Sequence, residues 1–218
     1  MEITWYGNSC FRITERNFAT VVTDPFDAGL AGYNPLKLKA DIVTVSSNDL
    51  AHNNVSTIKP QPFLIEGRGE YDRGNVFITG IQTTPLKPAK DELRNTIYVF
   101  DYGQITVLHL GQINIVPSQT MIEELGNINI ALVPVGGGGG LNASKAAEVI
   151  SMLEPNIVIP MHYETPHSKL ALDPLSKFLK EMGLTELETM ESFKIPPSGG
   201  FSEEGTQVIA LDPKLSAL

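Results

Sequence analysis

A single cysteine, Cys10, in 218 residues cannot close an intramolecular disulfide, so the chain suits a reducing compartment. Cys10 lies beside Phe11 in an apolar stretch, where a buried structural thiol is a better reading than a nucleophile. Long hydrophobic runs are missing as well, and no window approaches the roughly 18 uninterrupted apolar residues of a membrane-spanning helix. The chain opens on Glu2-Ile3-Thr4-Trp5-Tyr6 without a basic and then apolar leader pattern, so the expectation is a cytoplasmic protein with no membrane partner. Positive charge is scarce too. Sixteen Lys and Arg stand against 25 Asp and Glu, a net charge of −9, and the basic residues do not cluster, which argues against nucleic acid as a partner. No Pro/Ser-rich or charge-dense stretch forms a linker, and the 15 prolines and 19 glycines fall between apolar runs. One domain spanning residues 1–218 is expected.

What is present is a succession of short apolar segments. Residues 3–6, 10–13, 19–23, 42–45, 62–65, 76–83 and 96–100 read as strands, some alternating and others continuously β-branched. Turns are supplied by Gly7-Asn8-Ser9, Glu15-Arg16-Asn17 and Arg73-Gly74-Asn75, and this half is expected to be mostly antiparallel sheet. Beyond Tyr102-Gly103 comes a strand at 105–108, then a short helix capped by Ser118 and running to Leu125. A buried strand at 130–135, a helix over 143–153 capped by Asn142, and a second buried strand at 157–161 make a βαβ unit. A last helix begins at Asp173 with Pro174 in its first turn and ends before Gly183, and a closing strand lies near 208–211. Two facing sheets with helices outside follow, an α/β fold.

There are only four histidines, and three of them follow predicted strands: His52, His109 and His162. Rigid strand ends hold ligands still while loops leave a coordination position open, so the three can form a metal triad. They can equally be ordinary half-buried histidines, because they lack the short ligand spacing of a zinc motif.

The order of segments, however, resembles the metallo-β-lactamase superfamily, in the branch of cytosolic metal-dependent hydrolases that includes the L-ascorbate phosphate lactonases. The resemblance rests on Ile3-Thr4-Trp5-Tyr6-Gly7-Asn8-Ser9-Cys10-Phe11, Thr23-Asp24-Pro25-Phe26, Gly69-Glu70-Tyr71, Val76-Phe77-Ile78-Thr79-Gly80 and Asn95-Thr96-Ile97-Tyr98. It continues through Leu108-His109-Leu110-Gly111, Pro134-Val135-Gly136-Gly137 and Ile159-Pro160-Met161-His162-Tyr163. It implies a four-layer αββα sandwich over nearly the whole chain. Where such proteins carry His-x-His-x-Asp-His, this chain reads Ser47-Asn48-Asp49-Leu50-Ala51-His52. By the resemblance, Ser47, Asp49 and His109 occupy the first metal position, Ala51, His52 and His162 the second, and Gln112 replaces the bridging aspartate. Asn8 stands where the opening segment commonly has a histidine.

Each metal position therefore keeps two donors at most, Asp49 with His109 and His52 with His162, whereas a catalytic zinc generally takes three protein ligands. Neutral Ser47 and Gln112 oxygens bind zinc weakly, and loss of the bridging carboxylate removes the charge that lets two dications sit together. Ala51 also removes a carboxylate that would orient the nucleophilic water. The expectation is a residual cleft of Ser47, Asp49, Ala51, His52, His109, Gln112 and His162 with no metal cofactor and a binding or regulatory role for a small-molecule ligand. The alternative is a hydrolase of an ester, lactone or phosphodiester that gathers one zinc or other divalent metal on His52, His109, His162 and Asp49. A structural role in a homo-oligomer is a third reading. The glycine run 136–140 ahead of Asn142 offers an anion cradle or a plain flexible turn, and Tyr163, Glu164 and His167 line a mouth or a charged loop face.

Overall fold

The computed structural model describes residues 1–83, 94–196, 198–202 and 205–215. In the first half, β1 (Glu2–Trp5), β2 (Phe11–Thr14), β3 (Val21–Thr23), α1 (Ala28–Ala31), β4 (Ile42–Val45), β5 (Phe63–Glu66), β6 (Gly69–Arg73), β7 (Val76–Gln82) and β8 (Thr96–Asp101) follow in order. The second half holds β9 (Thr106–His109), α2 (Gln119–Leu125), β10 (Ile130–Pro134), α3 (Ala143–Leu153), β11 (Ile157–Met161) and α4 (Leu175–Glu181). Four two-residue strands close it: β12 (Thr189–Met190), β13 (Phe193–Lys194), β14 (Gln207–Val208) and β15 (Ala210–Leu211).

Two large sheets result, one ordered β13-β1-β2-β3-β4-β5 and the other β14-β11-β10-β9-β8-β7-β6. Their facing surfaces share one core, built from Ile3, Trp5, Phe11, Ile13, Ile42 and Ile65 on one side and Val76, Ile78, Tyr98, Phe100 and Val107 on the other. Each such side chain contributes about 1.5–3 kcal/mol on full burial, which is why alternation along β2 and β7 sets their register. The outer face of the first sheet packs Val22, Val43 and Val45 against Ala31 of α1 and against Phe26, Tyr33, Leu36 and Ile58 of the flanking loops. On the second sheet, α3 turns Ala143, Ala146, Val149 and Ile150 inward, and α4 does the same with Phe178 and Leu179. These four layers are the expected αββα sandwich.

Local chemistry explains the helix ends. Asn142 accepts a hydrogen bond from Lys145 N at 3.0 Å and Ser118 accepts one from Met121 N at 3.3 Å, so both predicted caps operate. Pro174 is the N-cap of α4 and not its first turn, since its backbone is still extended. The expectation of a mostly antiparallel first half needs correcting. β3, β4 and β5 pair in parallel, and β4, lying between β3 and the edge strand β5, is buried along its whole length. The predicted closing strand is likewise two strands, with β14 pairing β11 and β15 pairing β12.

One side chain ties the sheets together. Tyr98 on β8 donates its hydroxyl hydrogen to Val45 O at 2.9 Å, at the end of β4, and accepts from Gly67 N at 2.9 Å.

Candidate functional site

The site is built where β3, β4, β9 and β11 end. β4 leads into Ser46 and the loop 47–52, and β11 runs out at Met161 just before His162. His109 is the last residue of β9 and not the first after it, because the strand begins one residue later than its apolar run. All three histidines are fully buried, at 0 %, 0 % and 1 % exposure for His52, His109 and His162, so the reading of half-buried surface histidines does not hold.

Each imidazole is pinned by an oxygen on one nitrogen. His52 Nδ1 lies 2.9 Å from Asp24 Oδ2, and Asp24 also accepts from Ser46 N at 2.7 Å and from Ser46 Oγ at 2.5 Å. Burial alone would raise the Asp24 pKa, but the neighbouring His109 and the bonds from His52 and Ser46 outweigh it and hold the carboxyl below its ordinary range. An ionised carboxylate only accepts, so His52 Nδ1 carries the hydrogen and Nε2 is bare. For His162, Nδ1 lies 2.6 Å from Asn8 Oδ1. The orientation of that amide is set by its Nδ2, which donates to Ala51 O at 2.7 Å, so His162 Nδ1 is again the donor. His109 Nε2 faces Ser9 O at 3.0 Å, leaving Nδ1 bare. His52 Nε2, His109 Nδ1 and His162 Nε2 are all buried without a hydrogen bond of good geometry, although the Gly138 carbonyl lies near enough to the His162 ring to favour its protonated form slightly. The rings of His52 and His162 are 5.7 Å apart between centroids. Burial, with His52 alongside, pushes the His162 imidazole down to about 3, and burial lowers His109 as well.

The other positions that the resemblance places in the site make local contacts. Ser47 is buried, forms an isolated bridge with Asn95 and accepts from Asp49 N at 3.2 Å. The Asp49 carboxylate caps its own loop by accepting from Ala51 N at 2.8 Å. Gln112 N is held by Asn95 Oδ1 at 2.7 Å, while its Nε2 reaches Gly138 O at 3.4 Å. Among the described residues, no group of three His, Cys, Asp or Glu side chains is placed to hold a metal ion. The donor set therefore does not fit a dinuclear centre, although bare nitrogens backed by oxygen partners are what metal-ligating histidines present.

Two glycines belong to this geometry. Gly111 follows His109-Leu110 with φ +60°, and a Cβ there would sit 2.5 Å from Ser46 Cβ, so the end of β9 can approach β4 only without a side chain. A Cβ on Gly136 would fall 2.4 Å from His162 O, which accepts from Gly136 N at 3.0 Å. The run 136–140 is thereby stitched to β11, Gly137 N donates to Leu141 O just beyond it, and Gly140 N donates to Gly137 O. That stitching favours the turn over the anion cradle. Tyr163 is a correction: it is 6 % exposed and packs on Trp5 with ring centroids 5.1 Å apart, so it belongs to the core, while Glu164 and His167 are exposed.

Asp24 and Asn8 are the residues that the sequence reading did not assign a task. The available signals were a carboxylate in an otherwise apolar run, Val21 to Phe26, and a polar Asn8 in a core strand turn. Asn8, Asp24 and His162 all adopt the left-handed region, with φ of 49°, 40° and 52°. Asn8 and His162 are hydrogen-bonded to each other, and Asp24 is held by Ser46 and His52, so all three positive-φ positions are fixed by their surroundings.

Facing mixed sheets, helices outside and polar donors gathered at the strand ends define the metallo-β-lactamase class of fold. A model of the beta-lactamase superfamily domain matches residues 2–162, and the chain belongs to that superfamily. Among curated relatives, a UPF0173 metal-dependent hydrolase of Lysinibacillus sphaericus is 28 % identical over 200 residues, covering 76 % of this chain and 86 % of its own length. A UPF0173 metal-dependent hydrolase of Methanosarcina barkeri is 26 % identical over 197 residues, covering 76 % and 84 %. A crystal structure from Thermotoga maritima, assigned to the metallo-beta-lactamase superfamily, aligns with a TM-score of 0.77 at 31 % identity, covering 97 % of this chain and 99 % of the other. A metallo hydrolase of Ignicoccus hospitalis shares the fold at a TM-score of 0.65 and 18 % identity, over 89 % and 99 % of the two chains.

Proposed function

We propose that this family member is non-hydrolytic and works without a metal pair, using the residual cleft to bind a small ligand. The observation that carries the reading is the fate of the replaced positions. Ser47, Asp49 and Gln112 are engaged by neighbouring loop atoms, and Ala51 contributes only its backbone. Without a bridging carboxylate, two dications would repel one another at the separation a dinuclear site requires. The three bare imidazole nitrogens are acceptors, so the ligand that suits them donates hydrogen bonds.

A second reading is favoured by one specific observation. His52 and His162 each give the Nδ1 hydrogen to an oxygen and keep Nε2 bare, as ligands of a single metal would. Elemental analysis of protein purified without chelator separates the two. The metal-free reading expects far less than one equivalent of zinc, iron or manganese after dialysis, and one equivalent supports the second reading. About two equivalents, with hydrolysis of a generic phosphodiester or lactone, would refute the proposal.

A further inference from the structure

Asn8 joins three parts of the cleft that nothing else described connects so directly. Its amide Nδ2 donates to Ala51 O at 2.7 Å in the loop 47–52, and its Oδ1 accepts from His162 Nδ1 at 2.6 Å beyond β11. Its backbone carbonyl accepts from His162 N at 3.1 Å and from Trp5 Nε1 at 3.0 Å. The side chain is almost wholly buried, at 1 % exposure, on a backbone of φ 49°. The loop and the β11 end are the two segments that a metal on the second position would join, through residues 51, 52 and 162. Here residue 51 has no carboxylate, and its carbonyl takes the Asn8 amide instead.

We infer that Asn8 replaces the metal as the crosslink of this edge, holding the loop 47–52 to the end of β11 and fixing the His162 tautomer. The inference rests on the metal-free reading of the cleft. An amide suits the task because it offers a donor and an acceptor on one rigid carbon. Aspartate would keep the acceptor and lose the donor, and an aliphatic side chain would lose both. Asparagine also tolerates the left-handed backbone better than most residues.

The test compares the full-length protein with Asn8→Gly and Asn8→Asp. Glycine relieves the left-handed backbone while deleting the amide, so loss of stability in that variant reports the crosslink and not strain. The readouts are the thermal midpoint, with and without chelator, and the ¹⁵N spectrum of His162, which distinguishes its tautomers. The parent is expected to show the Nδ1–H tautomer and a midpoint that chelator leaves in place. Asn8→Gly should melt about 3–8 °C lower, as loss of two buried hydrogen bonds does in a chain of this size, and should mix the two His162 tautomers. Asn8→Asp should keep the Nδ1–H tautomer and still melt lower than the parent. An Asn8→Gly protein with the parent's midpoint and tautomer overturns the inference, as does an Nε2–H parent. A parent that melts lower with chelator overturns the metal-free reading, while the tautomer comparison still judges Asn8 separately.

Discussion

His162 shows what one buried side chain imposes on the whole protein. Its imidazole, ordinarily at 6.5, is pushed down to about 3 by burial and by His52, so the folded state keeps it neutral while the unfolded chain takes up a proton. Below pH 6.5 the unfolded state binds more protons, and stability falls as pH falls until the folded site titrates near 3. The contribution at stake is about 4–5 kcal/mol, present above 6.5 and lost across that window. His109 is lowered in the same direction, and Asp24, also lowered, adds its own loss once pH drops beneath its ordinary 3.8. Urea midpoints measured from pH 7.5 to 4 should therefore fall steeply for the parent. His162→Gln should flatten the profile, and an equal slope in both proteins would show that another group drives acid unfolding. Cys10 is inert by the same physics, since burial holds its thiol well above the ordinary range.

At the level of elements, the site is a meeting of strand ends, and on the proposed reading its backbone remains in place while its ligands have changed. Ser47→His, Asp49→His, Ala51→Asp and Gln112→Asp together should raise bound zinc to about two equivalents, because they restore three donors to each position and the bridging charge. Any one alone should add little. Elemental analysis of the folded quadruple variant checks this, and uptake no greater than the parent's would mean that the loop 47–52, tied by Asp49 to Ala51 N, no longer points its side chains together. Much of this edge was legible in the sequence. β4, α3 and β11 were placed to the residue, since β-branched runs and an Asn cap are local signals. β6 was not, because Gly-Glu-Tyr-Asp-Arg has no apolar alternation and is a strand only through its pairing with β7. β12 and β13 are two residues each and likewise owe their state to partners. Asp24 and Asn8 escaped for a related reason: their tasks are set by residues 28 and 154 positions away, His52 and His162. No spacing rule reaches that far.

For the whole molecule, the joint made by Tyr98 has the widest reach. Its hydroxyl is the donor to Val45 O and the acceptor for Gly67 N, so Tyr98→Phe leaves two backbone groups unsatisfied between the sheets while preserving the ring. The expected loss is about 1–3 kcal/mol, read from urea unfolding followed by near-ultraviolet circular dichroism. A midpoint unchanged from the parent would show that solvent reaches the joint freely. The joint also bears on traffic to the cleft. Val45 lies one residue before Ser46, so the hydroxyl anchors one sheet to the other beside the buried imidazoles. Prying the sheets apart would break that anchor and the shared core together. On the proposed reading, a ligand would instead reach the histidines by brief displacement of segments 47–52 and 136–140, which carry Ala51 O against Asn8 and Gly140 against His162, and its exchange rate would follow loop opening and not breathing of the sandwich.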